Sequence, residues 1–226
     1  MAVFGTILGT QQQPETPVAL SYDNYFVDEV LSRNEGRDPH QSIEDYSITG
    51  AYGIKNRPKK YEKLPAREAA RLMTLDKREE IKSQIGERNW ERMPMSVKLA
   101  TQDFHWNTNS LFTNFKKNLI KGDYENALYE TFDAVSASDK ESGKKGVLRG
   151  LANRRAKMFN RYAIVNKLPK VTEFEFTKGD KGGTNVTYYF EGNKKPITKF
   201  ISKGIHPDSK GVDTETKGYE KFKVQN

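Results

Sequence analysis

The sequence contains no cysteine, so its fold rests on neither disulfides nor a thiolate metal site. It has no run of about 18 apolar residues, the length a helix needs to cross a bilayer, so no membrane span is expected. Residues 1–20 show no charged-then-apolar leader, and export by a cleaved signal is not expected either. Histidine is scarce: His40, His105 and His206 stand far apart, and no cluster with metal-ligand spacing accompanies them. No metal and no cofactor are expected.

With 35% hydrophobic and 11% aromatic residues in 226, the chain can bury a real core, which points to one domain with appendages. Lys and Arg number 38 against 30 Asp and Glu, a formal charge of +8. That balance favours an anionic partner, whether nucleic acid, cell-wall glycan or membrane surface, and does not choose among them.

Residues 1–20 form a Gly-punctuated apolar start followed by a Gln/Pro/Thr stretch without period, read as an arm that docks on a neighbouring subunit or folds back on its own domain. From residue 22, Tyr22, Tyr25, Phe26, Val30 and Leu31 recur at helical spacing, and Glu35-Gly36 falls where that helix should stop. A loop with Glu44, Asp45 and Thr49 follows, closing on Gly50-Ala51-Tyr52-Gly53. A carboxyl at a buried helix end and a second on a solvated loop would provide the two environments that glycosidic bond cleavage needs. The plainer reading of the same stretch is a helix end followed by an acidic, solvated loop.

Pro65 suits the first turn of a helix, which continues through residues 74–89 as a highly charged segment expected to lie across the surface. Met93-Pro94-Met95-Ser96 opens the most apolar helix, with Val97, Leu99, Ala100, Thr101 and Phe104 inward, ending in Phe104-His105-Trp106-Asn107. His105 reads as a proton carrier or substrate contact, or else as a hydrogen-bonded histidine at the core edge. Two helices follow around Lys121-Gly122-Asp123, a sound C-cap and turn. After a polar loop at residues 136–146, GVLRGLANRRAKMFNRYAI forms a last basic helix. Beyond residue 166 the pattern changes to short alternating strands at Val171–Phe176, Thr184–Phe190 and Ile197–Ile201 with Gly-rich turns, a small β-meander.

Taken in order, these stretches resemble the phage-type lysozymes, the muramidases with which bacteriophages cut peptidoglycan. The last two segments carry the resemblance best: KNLIKGDYENALYETFD matches that family's Gly-Asp-Tyr helix pair, and GLANRRAKMFN its final Gly-Leu…Arg-Arg helix. The match covers roughly residues 22–163. It implies that Glu35 is the general acid, that Glu44 or Asp45 is the second carboxylate, and that Thr49 and Tyr52 lie beside them. Where the family has Asp nine residues after the acid, this chain has Glu44, with Asp45 next, and Thr49 follows Glu44 by five residues instead of six. His105, Asn107 and Arg154 are the further substrate contacts to be expected, Arg154 and Arg155 standing in the family as helix-surface residues near the cleft. Their plainer reading is a solvated basic face.

The expected architecture is α+β, mainly α: an arm at 1–20, a lysozyme-like helical domain at 21–165 and a β-rich extension at 166–226. The expected function is cleavage of the glycan between N-acetylmuramic acid and N-acetylglucosamine by a virion-carried enzyme acting in the host wall or periplasm, with lytic transglycosylation as the other possible outcome. Its partners would be peptidoglycan and, through the arm and the extension, other virion proteins. Two other classes stay open. One is a non-catalytic structural or glycan-binding virion protein on the same scaffold. The other is a nucleic-acid binder, against which stand the interleaved acids and the lack of a recognised motif.

Overall fold

The computed structural model describes residues 22–32, 58–138, 145–147, 149–179, 183–202, 206–207 and 221–225. The chain is α+β and mainly α, with a small antiparallel sheet towards its C-terminal side.

Helix α1 opens at Tyr22–Tyr25 and runs on as a π-helical stretch, Phe26–Leu31. Phe26, Val27, Val30 and Leu31 are buried, whereas Tyr25, expected inside, is 43% exposed. After a single 3₁₀ turn at Lys59–Tyr61, α2 spans Ala66–Ile85, beginning directly after Pro65. Its sparse apolar and small residues fall on one side, so it lies along the surface with that side against the core. Ala69, Ala70, Thr74, Ile81 and Ile85 line that side and are buried, while the charged residues occupy the rest of the circumference. Gly86, at φ 86°, ends α2 and turns the chain into α3, Glu87–Arg92.

The central element is α4, Met95–Thr108, in which every residue from Ser96 to Trp106 except Lys98 is buried. A helix buried nearly all round must be wrapped by others, and α1, α2 and a later helix all contact it. Asn109 closes it in the left-handed conformation. The next pair is α5, Thr113–Lys121, and α6, Tyr124–Tyr129. Gly122 at φ 78° makes the turn between them, and the Asp123 carboxylate accepts from the Asn126 backbone N–H to cap α6.

The polar stretch expected as a loop at 136–146 holds two short strands instead, β1 (Ser136–Ser138) and β2 (Lys145–Val147), paired antiparallel. Small residues give no alternation to read there, so only backbone pairing reveals them. As a result the last helix, α7, begins at Arg149 and runs to Val165.

The sheet strands are β3 (Val171–Lys178), β4 (Thr184–Phe190), β5 (Ile197–Ser202) and, beyond the short β6 (His206–Pro207) that pairs with β2, β7 (Lys221–Lys223). Their order is β5-β4-β3-β7. Strict alternation groups Val171 with Glu173 and Glu175, but a register shift against β4 between Val171 and Glu173 puts Val171 inside with Phe174 and Phe176. Phe222, in what reads as a hydrophilic tail, pairs with Phe174 and is 9% exposed. The inner side chains of the sheet share one apolar cluster with α2, α4, α5, α6 and α7. Asn160 of α7 fixes the seam by bonding both the N–H and the C=O of Val171, at 2.7 and 2.8 Å.

Candidate functional site

Of the residues expected to carry chemistry, Glu35, Glu44, Asp45, Thr49 and Tyr52 lie outside the described residues. His105, Asn107 and Arg154 are described, and they belong to two different surroundings on α4.

One is the seam between α4 and α7. Asp103 and Asn107 stand one helical turn apart and face Arg154 and Arg155. The Arg154 guanidinium donates to Asp103 Oδ1 at 2.7 Å and again through Nε at 3.2 Å. Arg155 donates to Asn107 Oδ1 at 2.5 Å and to the Ala134 carbonyl at 3.1 Å, and lies over the Phe104 ring at 4.8 Å. Both arginines are buried, Arg154 at 6% and Arg155 at 0% exposure. The reading of this pair as a helix-surface or solvated basic face is therefore corrected: α7 turns its Arg-Arg edge inward because α4 offers it a carboxylate and an amide there.

Burial pushes the Asp103 carboxyl up, but Arg154, with Arg161 and Arg155 nearby, outweighs it and holds the group below its ordinary value. Burial drives the Arg155 guanidinium down to about 10, with repulsion from Arg154 adding to it. It stays charged at neutral pH. Asp133, near Arg155 and Lys199, is pushed up by burial, and its Oδ1 finds no hydrogen-bond partner. The buried guanidinium of Arg154 acts as a preorganised charge that holds the Asp103 carboxylate ionised and in place.

The other surrounding is the α2 side of α4. His105, 1% exposed, points its Nε2 to Glu80 Oε2 and Gln84 Nε2, both at 3.5 Å, and its Nδ1 has no partner. Burial, with Lys77 nearby, lowers it to about 4, so the imidazole is neutral at pH 7 and the Glu80 contact is no ion pair there. Its setting is that of a core-edge side chain facing α2, away from the arginine seam.

Asp103 had no reading in the sequence, and Arg155 was read only as a surface residue. The signal that could have singled out Asp103 is a carboxylate between the inward-facing Ala100 and Phe104, which must meet an opposite charge if that side is buried. Among the described residues no group of three His, Asp or Glu could hold a metal ion, and no helix is long and apolar enough to cross a membrane.

The remaining contacts of α4 bring in the helix that leads towards Glu35. Phe26 packs edge-on against Trp106 at 6.5 Å, in a cluster with Leu31, Ala70 and Leu99, and the Tyr22 hydroxyl donates to Gln102 Oε1 at 2.6 Å. No protein-family model, curated protein or solved structure matches the chain.

Proposed function

We propose that this chain is a peptidoglycan-cleaving muramidase of the phage-type lysozyme kind, carried in a virion and acting in the host wall during genome delivery. The observation that supports it is the junction at α4. The segments that carry the resemblance are far apart in sequence, yet α1 meets α4 through Phe26 and Trp106, α5 through Phe104 and Phe115 at 4.9 Å, and α7 through the Asp103–Arg154 and Asn107–Arg155 pairs. The three segments on which the resemblance rests thus pack against one helix, as the resemblance requires.

In this reading Glu35, four residues beyond the π-helical end of α1, protonates the leaving glycosidic oxygen. π-helical turns occur frequently at functional sites, in keeping with that assignment. Glu44 or Asp45 supplies the second carboxylate, Thr49 orients the attacking water, and Tyr52 lines the sugar. Asp103, Asn107 and the two arginines are positioning residues, holding α4 against α7. With Glu44 in that role the extra methylene relative to Asp slows the reaction, because a displacement near 1 Å costs about 10²-fold; with Asp45 it does not arise.

The test is loss of turbidity of purified peptidoglycan with the wild type and Glu35→Gln. Removal of a general acid lowers the rate about 10²- to 10⁴-fold, so the variant should leave the suspension turbid. A folded wild type that pellets with the wall and never clears it would instead favour a glycan-binding protein on the same scaffold.

A further inference from the structure

Phe26–Leu31 is wound as a π-helix and closed at Ser32, whose N–H donates to the Val27 carbonyl five residues back. Turns of this kind are rare. The apolar contacts of the stretch do not select them. Phe26, Val27, Val30 and Leu31, all at most 1% exposed, stand at i, i+1, i+4 and i+5, a spacing that gathers them on one side of either an α- or a π-helix. Asp28, inside the stretch, is held more specifically. Its carboxylate takes both arms of the Arg67 guanidinium from α2, Nε to Oδ1 at 2.9 Å and Nη2 to Oδ2 at 2.6 Å, and its carbonyl accepts from the Ser32 hydroxyl. The first turn of α1 is fixed separately, by Tyr22 donating to Gln102 and by Asp23 pairing with Arg78 at 2.9 Å.

We propose, resting on the muramidase reading above, that Arg67 is a positioning residue for the general acid, holding the π-helical register with which α1 leads to Glu35. A π-turn holds more residues than an α-turn, so the same six residues wound as α-helix would leave Ser32 turned about the axis relative to its present direction. Arg67 acts on that choice from Asp28, seven residues before Glu35. Exposed ion pairs in general do little, but a two-armed arginine–carboxylate pair fixes the direction of both groups. Lysine would supply the charge without the fork.

The experiment measures clearing of purified peptidoglycan at limiting and saturating concentrations by the full chain and by Arg67→Met, Arg67→Lys, Asp28→Asn, Asp28→Asn/Arg67→Met and Glu35→Gln. Thermal midpoint and amide exchange at Ser32 are followed in each. Displacing the acid by 1 Å costs about 10²-fold, so a smaller shift in Arg67→Met should lower kcat about tenfold. KM and the midpoint should stay near wild type, since the first turn and the apolar side of α1 keep their contacts, while exchange at Ser32 speeds up. Arg67→Lys should recover only part of the rate, and the double variant should be no slower than either single one. The proposal fails if Arg67→Met keeps the wild-type kcat while Glu35→Gln is inactive, if the rate falls only in step with the midpoint, or if Arg67→Lys restores it fully. A wild type that never clears the wall, or a Glu35→Gln variant as active as the wild type, overturns the muramidase reading and the role of Arg67 with it, so the Glu35→Gln arm tells the two failures apart.

Discussion

Arg154 and Asp103 show how a pair of buried charges differs from a pair of surface ones. Removing one partner breaks a buried, hydrogen-bonded charge pair, so Arg154→Met should cost about 3–5 kcal/mol in urea unfolding. Replacing both, as Asp103→Leu/Arg154→Met, should recover a large part of that loss; equal destabilisation by the single and double variants would argue against the pair. His105 sets a different test. Its folded-state value of about 4 lies below the ordinary 6.5, so between those values the unfolded chain binds a proton that the folded chain refuses. The stability this group supports is complete above pH 6.5 and drains away as the pH falls towards 4, by about 3 kcal/mol in all. His105→Gln should flatten that part of the stability curve, measured as unfolding midpoint against pH. A wild-type curve already flat over the range would show that the imidazole is not buried neutral.

At the scale of elements, Lys194 ties the β4–β5 turn to the helices. Its ammonium meets Glu125 Oε1 at 2.7 Å, bonds the Tyr129 hydroxyl, and lies 5.0, 5.1 and 5.7 Å from the Phe190, Tyr129 and Phe159 ring centres. Lys194→Met should lower stability by about 1–2 kcal/mol and increase hydrogen exchange first in the β4–β5 hairpin. The elements themselves were legible where periodicity was strong. The inward set of α4, the Gly122 turn and strands β3, β4 and β5 all follow from spacing and turn chemistry. What spacing missed has physical reasons. The bulge at Val171 flips one residue against the alternation, β1 and β2 contain small side chains that carry no pattern, and Phe222 is one aromatic among polar neighbours. The burial of Arg154 and Arg155 was hidden because an arginine edge reads as solvated until the carboxylate opposite it is known.

For the whole molecule, the fold class could be read from the sequence, whereas the expected carboxylates Glu35, Glu44 and Asp45 lie outside the described residues. Asn107 and Arg154 were singled out by resemblance, but their partners Asp103 and Arg155 come from different elements, and a buried charge pair 51 residues apart leaves no local mark. A muramidase is defined by the bond it cuts. Mass spectrometry of fragments released from purified sacculi by the wild type and by Glu35→Gln identifies that bond. Wild-type digestion should yield muropeptides ending in N-acetylmuramic acid, reducing for hydrolysis and anhydro for transglycosylation, and the variant should yield almost none. Fragments ending in N-acetylglucosamine, cut peptide bonds, or equal release by the two proteins would contradict the muramidase reading.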